Sequence, residues 1–195
     1  MSTYEETVKN LGEGTARVVG QLWAAVDRGD LPPGDFRDLA ARLIAVANER
    51  GRAVAELTLQ AYLSAATGTV TAPTAGPLVD DAPRLVKALE TVAESHLDTD
   101  MQLHRLAVAE PLRAAARAFS AGVAREPLVN GWVRGLEADA CQLCRWWWRE
   151  GRVWPSAHPM PTHPGCTCAP IPTVVERVRS TEYTRFLAHR MEAQA

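Results

Sequence analysis

Cysteine is absent from the first 140 residues of this 195-residue chain, and all four cysteines lie between positions 141 and 168. Lysine is also scarce, since only Lys9 and Lys87 occur among the 21 basic residues. In a reducing compartment thiols do not persist as disulfides, so this clustering favours a metal site over a disulfide framework. We therefore expect one metal-binding region near the C-terminus.

Long apolar runs are missing too. No stretch reaches the roughly 18 uninterrupted apolar residues of a membrane span, and the first residues lack the basic start and apolar core of a secretory signal. The formal net charge of -2 gives no global electrostatic reason for tight binding to nucleic acid or anionic membranes. We expect a protein that is made in a cytoplasm and has no membrane partner.

Two helices are predicted ahead of a linker. Thr3 and Glu6 have the spacing of a capping box, which begins a first helix. Asp35 is expected to cap a second helix with a continuous apolar stripe, and Gly68 is expected to end it. Residues 69–83 contain three prolines and several small side chains, and they predict a linker.

Two more helices follow the linker. The spacing of Leu85 and Leu89 predicts a third helix, and a second capping box, Thr99 with Gln102, begins a fourth. Residues 1–126 are therefore predicted to form a helical body.

The composition of the sequence changes after the helical body. Residues 128–133 and 152–154 have the β-branched and aromatic character of short strands, and six prolines after position 154 exclude long regular structure from residues 127–172. A capping box at Thr173 predicts a C-terminal helix over residues 173–195. The expected fold class is mainly α, with long amphipathic helices followed by a small metal-stapled α+β module and a C-terminal helix.

The cysteines have the spacing of zinc ligands. Cys141-Gln-Leu-Cys144 is a CxxC pair, which lets two thiolates reach one tetrahedral ion. In His163-Pro-Gly-Cys166 the central proline and glycine predict a type II turn, which brings the first and fourth residues within about 7 Å. The 18 residues between Cys144 and His163 match the loop length of zinc ribbons. The pattern predicts a structural Zn²⁺ ion.

A fifth candidate ligand leaves the fourth place open. Cys168 lies two residues beyond Cys166, on the same face of an extended chain. Five side chains thus compete for four places: Cys141, Cys144 and Cys166 come first, then His163, then Cys168. A closed shell of four protein ligands has no position for a reacting water, so we expect the site to be structural.

Other interpretations of these residues were weighed. A thioredoxin-like redox pair needs a βαβ pattern that the sequence lacks, whereas two disulfides would suit an extracellular particle. His158 is better explained as a loop residue than as a ligand. No nucleophile elbow, phosphate-binding loop or HExxH motif occurs, and the HxE element of zinc deaminases is missing. We expect no enzyme activity.

Five of the six tryptophans lie close to the cysteines, at positions 132, 146, 147, 148 and 154. They could form a platform that stacks on bases or anchors a protein partner, or they could supply the apolar burial of a very small module. We expect burial for some of them and a partner contact for at least one.

The stretch from Gly131 to Cys168 resembles the C-terminal module of the phage Mu F-like minor head proteins. That family has a tryptophan and an aspartate ahead of a CxxC pair, then a Gly-x-Val-aromatic segment and a His-Pro-x-Cys-x-Cys element. The positions that match are Trp132, Asp139, Cys141, Cys144, Gly151, Val153, His163, Pro164, Cys166 and Cys168. The triple tryptophan and Thr167, where the family often has arginine, are departures.

The resemblance implies a minor capsid protein of a tailed bacteriophage. Such a protein is present in few copies inside the head near the portal, after assembly in the host cytoplasm, and takes part in head morphogenesis, DNA retention or DNA delivery. Its implied partners are the portal, the major capsid protein and packaged DNA. The alternative is a zinc-ribbon nucleic-acid-binding regulatory protein, with tryptophans on bases and arginines of the C-terminal helix on phosphates.

Overall fold

The computed structural model describes residues 3–70, 76 and 79–174. Within these ranges the chain is mainly helical, with a small sheet near the cysteines, as predicted. Five helices, α1 to α5, cover Tyr4–Asp27, Pro33–Thr67, Ala82–Ala93, Thr99–Arg125 and Gln142–Trp148, and three strands, β1 to β3, cover Val129–Gly135, Trp154–Pro155 and Ala169–Val174. In the described part of the chain, no helix combines the length and apolar content that crossing a bilayer requires.

The ends of the first two helices follow local chemistry. The Thr3 hydroxyl accepts from the Glu6 amide at 3.2 Å and the Glu6 carboxylate accepts from the Thr3 amide at 3.0 Å, which confirms the capping box. The predicted cap at Asp35 is wrong, because α2 begins at Pro33. A proline suits a first helical position, where its missing N–H costs nothing. Gly68 ends α2 at φ 67°, as predicted.

The fourth helix begins one residue earlier than its predicted capping box. The N-cap is Asp98, whose carboxylate accepts from the Met101 amide at 3.0 Å, and Thr99 is already the first helical residue. Aspartate and threonine are both favourable N-cap residues, and here Asp98, which comes first in the chain, sets the beginning of α4. The predicted linker also ends earlier than expected, because α3 includes residues 82 and 83.

The three strands form an antiparallel sheet in the order β2-β1-β3. Trp132 on the central strand pairs with Trp154 on one side and Pro172 on the other. At Gly131 the strands come unusually close, since a Cβ atom there would lie 2.5 Å from the Trp154 carbonyl oxygen. Only glycine fits this approach, which makes Gly131 a requirement for the β1–β2 pair.

The predicted C-terminal helix is wrong at its first residues. Thr173 and Val174 belong to β3, where the Thr173 hydroxyl donates to the Asn130 side-chain oxygen at 2.7 Å. Residues 175–195 of that prediction lie outside the described residues. Pro170 and Pro172 are compatible with β3 because it is an edge strand, whose outward N–H groups need no partner strand.

The sheet and the helical body share one apolar core. Leu59 of α2 and Phe119 of α4 belong to the same buried cluster as Trp132 of β1, Met160 and Ala169. A second buried cluster lies farther from the sheet and contains residues of all four long helices, among them Phe36, Ile44, Leu85 and Leu103. The short strands are therefore stabilised by packing against long helices, and their position relative to α2 and α4 is fixed.

Replacing Trp132 with alanine should destabilise the whole fold. Trp132 is 1% exposed and lies in the shared core, so truncation should lower the free energy of unfolding by about 3–5 kcal/mol. Trp146, which is 63% exposed, is the matched control, and its alanine variant should change stability by less than about 0.5 kcal/mol. Chemical denaturation followed by helical circular dichroism measures both, and equal losses would contradict the shared core.

Candidate metal centre

Three short segments carry the five candidate ligands. Cys141 is the N-cap of α5 and Cys144 lies in its first turn, where the Arg145 amide donates to the Cys141 carbonyl at 3.1 Å. His163 and Cys166 come from the loop before β3, and Cys168 directly precedes that strand. The sequence predicted the CxxC pair but not the helix, which is only seven residues long.

The loop at His163 has the predicted turn. The Cys166 amide donates to the His163 carbonyl at 3.1 Å, and Gly165 has φ 78°. This value is that of the third residue of a type II turn, which explains the glycine after Pro164. The turn brings the His163 imidazole and the Cys166 thiol next to Cys144 of α5.

The ligand atoms of four of these side chains lie in contact with one another. The His163 Nε2 atom lies 3.2 Å from the Cys141 sulfur and 3.1 Å from the Cys144 sulfur, and the sulfurs of Cys144 and Cys166 lie 3.6 Å apart. Around a tetrahedral zinc ion two sulfurs lie about 3.8 Å apart, and a sulfur and a nitrogen about 3.6 Å apart. The observed contacts are therefore close to edges of such a tetrahedron, and this cluster could bind a metal ion.

All five candidates take part in this cluster. Cys141, Cys144 and His163 form one group of potential ligand atoms within 4.8 Å of one another, and Cys144, Cys166 and Cys168 form a second. Cys144 belongs to both groups and is fully buried. An ion bound by either group therefore has Cys144 as a ligand. Whether His163 or Cys168 is also a ligand depends on which group supplies the remaining coordination positions.

The imidazole of His163 is oriented as a ligand. Its Nδ1 atom lies 2.9 Å from the Pro164 carbonyl oxygen, which can only accept a hydrogen bond, so Nδ1 carries the proton. Nε2 then directs its lone pair towards the sulfurs of Cys141 and Cys144. A second hydrogen bond of this kind fixes the tautomer in many histidine-metal sites. The ring centroids of Trp147 and His163 lie 6.1 Å apart at an interplanar angle of 33°.

The two thiols of the CxxC pair differ in their surroundings. The backbone amide of Cys144 donates to the Cys141 sulfur and lowers the pKa of that exposed thiol. Burial raises the pKa of the Cys144 thiol to about 12. An ion that replaces the proton of Cys144 supplies the positive charge that this buried sulfur needs as a thiolate.

The pKa values of the other two thiols, Cys166 and Cys168, shift in opposite directions. The Cys168 thiol donates to the Cys166 sulfur, which lowers the pKa of Cys166 and raises that of Cys168. The contact between the sulfurs of Cys144 and Cys166, at 3.6 Å, favours Cys166 over Cys168 as a ligand.

No sequence motif identifies Arg134, whose guanidinium adjoins these sulfurs. Arg134 lies on β1 and is 1% exposed, and its Nη1 atom lies 3.6 Å from the Cys144 sulfur. Trp132 and Arg134 are two residues apart, so they occupy the same face of β1. The available signal was an arginine at an inward position of a strand, which indicates a buried anion.

The aromatic residues separate into two groups. Trp132 donates to the His158 carbonyl at 2.8 Å, and the rings of Trp154 and His158 stack at 4.7 Å, so His158 is part of an aromatic stack and not of either ligand group. Trp146 and Trp148, by contrast, are exposed on α5. The structure thus buries some of the tryptophans and leaves others free for contact.

Replacing Gly165 with alanine should weaken metal binding through the turn. An L-residue at positive φ costs about 1 kcal/mol, and here that strain acts on the segment that holds His163 and Cys166. Gly29 is the matched control, because it has φ 77° and equally open surroundings but lies between α1 and α2. Both alanine variants should lose similar stability without metal, and only Gly165→Ala should lower zinc affinity in a chelator competition. Equal zinc affinities in the two variants would contradict this role of the turn.

No protein-family model, curated protein or solved structure matches this chain. The resemblance to the Mu F-like module therefore depends on the motif residues alone.

Proposed function

We propose that Cys141, Cys144, His163 and Cys166 bind one structural zinc ion. The observation that carries this proposal is the position of the His163 Nε2 atom, within 3.2 Å of two cysteine sulfurs and with its tautomer fixed by the Pro164 carbonyl. Nitrogen and sulfur ligands in a tetrahedral arrangement are the preference of zinc. With three thiolates and one imidazole bound, no coordination position remains for a substrate, so the ion has no catalytic role and we propose no enzyme activity.

The ion would stabilise a region whose own core is small. In the described part of the chain, the buried cluster at the ligands consists of Ala140 and three of the cysteines, with Leu136 packed against it. Such a cluster cannot compensate the conformational entropy of the long loops around it. Structural zinc contributes about 10–16 kcal/mol in small zinc peptides, which is enough to fold a region of this size.

Removal of single thiols tests the ligand set. Cys141→Ser and Cys144→Ser should each abolish tight binding of one zinc ion per chain, because each removes a ligand. Cys168→Ser is the matched control: it deletes a neighbouring buried thiol and should retain one zinc ion. Metal content after gel filtration measures stoichiometry. Loss of zinc in Cys168→Ser with retention in His163→Ala would place Cys168, not His163, in the shell.

We also propose that the protein is a minor capsid protein of a tailed bacteriophage. Support comes from the residues that carry the Mu F-like resemblance, because Trp132, the CxxC pair and the His-Pro-Gly-Cys turn meet around one small sheet. In this proposal the long helices and the metal-stapled region form a rigid unit that docks on the portal or the major capsid protein inside the head, near packaged DNA. Its role would be head assembly, DNA retention or DNA delivery.

Purified particles of the source phage test this assignment. Mass spectrometry should detect the chain in intact heads at a few copies per particle, and the chain should remain after tails are removed. Particles that contain the major capsid protein but lack this chain would contradict the proposal. Metal analysis of the recombinant chain is independent of this result, so the zinc proposal and the phage proposal can fail separately.

One observation favours a second candidate, a nucleic-acid-binding protein. Trp146 is exposed on α5, and Arg145 and Arg149, which are near it in the sequence, are exposed as well. Exposed aromatic rings among arginines can stack on bases and contact phosphates. Binding of single-stranded DNA that weakens steeply with salt would support this candidate, and no binding at about 50 mM salt would exclude it.

A further inference from the structure

The guanidinium of Arg134 occupies the centre of the C-terminal region. Its Nη1 atom donates to the sulfurs of Cys144 and Cys166, at 3.6 Å and 3.9 Å, and its Nη2 atom donates to the Pro161 carbonyl. The ring of Trp147 covers it, with 5.2 Å between the guanidinium carbon and the ring centroid. One side chain thus contacts both the CxxC pair and the loop that carries His163.

A buried guanidinium needs a negative partner. Transfer of an isolated charge from water into a protein interior is strongly unfavourable, and arginine does not lose its proton to avoid this cost. Among the described residues no carboxylate forms an ion pair with Arg134. Among the described residues, the two sulfurs that contact the guanidinium are therefore the groups that would supply the negative charge once a bound ion has displaced their protons.

We propose that Arg134 is a positioning residue that balances the charge of the metal centre and thereby selects three thiolates and one imidazole as ligands. This inference rests on the proposed zinc site. The two positive charges of the ion and the one of Arg134 equal the charge of three thiolates, so the unit as a whole is neutral. A fourth thiolate in place of His163 would leave one excess negative charge, and a second imidazole in place of a thiolate would leave one excess positive charge.

The shape of the side chain supports the same role. The planar fork of arginine presents several donors in fixed directions, whereas a lysine ammonium is a single charge on a flexible stem. Arg134 uses this fork to connect two sulfurs and one backbone carbonyl, which lie on α5, the His163 turn and the loop before it. It therefore holds the ligand-bearing segments at the spacing that the ion needs.

Zinc affinity of the full chain tests the proposal first. Arg134→Met should weaken zinc binding by about 10–100-fold, the usual effect of losing a partner of metal ligands, and Arg134→Lys should weaken it less because the charge is retained. Arg152→Met is the matched control, since Arg152 is an exposed arginine stacked on Trp154 in the same region, and it should bind zinc as the unsubstituted chain does. Arg134→Gln is a second neutral variant if Arg134→Met does not fold, as judged by helical circular dichroism.

A double-mutant cycle separates charge from simple packing. Cys141→His removes one thiolate, which leaves the centre positive when Arg134 is present but neutral when methionine replaces it. Cys141→His should therefore cost less zinc affinity in the Arg134→Met chain than in the unsubstituted chain, by at least about fivefold. A packing role for Arg134 predicts the same cost in both chains.

The outcomes distinguish failure of the zinc site from failure of the role of Arg134. If the unsubstituted chain binds no zinc, the zinc site and the role of Arg134 are both wrong. If it binds zinc and both neutral variants bind equally well, or if the cycle shows no coupling, the zinc site stands and the role of Arg134 is wrong. Weaker binding in Arg134→Met together with the expected coupling supports the proposal.

Discussion

The contacts of the Cys144 sulfur hold together the part of the chain that follows the long helices. This sulfur lies within 3.6 Å of His163 and Cys166, which are the two ends of one turn, and of Arg134 on β1. The elements around it are too short to be stable alone, since α5 has seven residues and β2 has two. Their arrangement depends on side-chain contacts at this point, and a bound ion would replace weak sulfur contacts with coordination bonds.

One face of β1 connects this centre to the helical body. Trp132 points into the core that contains Leu59 and Phe119, and Arg134, two residues later, reaches the sulfurs. Because both side chains lie on the same strand face, a shift of β1 would disturb the apolar core and the ligand cluster together. The region around the cysteines is therefore not an independent appendage, although its sequence composition is typical of a separate module. A rigid connection of this kind suits a protein whose proposed role is to dock and not to catalyse.

Much of the architecture could be predicted from local patterns. The capping box at Thr3, the stop at Gly68 and the His-Pro-Gly turn depend on residues within four positions of one another, so the sequence specifies them directly. The predictions that failed involve choices between neighbouring residues or competition with distant ones. Asp98 displaces Thr99 as a cap, and Thr173 pairs in the sheet instead of capping a helix. Pairing with β1 decides the second case, and no local pattern contains it.

The sequence by itself determined the five candidate ligands, because metal ligands need particular atoms at short spacings, and it also determined the helical character of the body. Only the tertiary structure decided that the two halves of the motif meet at Cys144. It also placed a buried arginine against the sulfurs. The physical reason is distance along the chain: Arg134 lies 32 residues before Cys166, and only the folding of β1 against the loop brings its charge to these sulfurs.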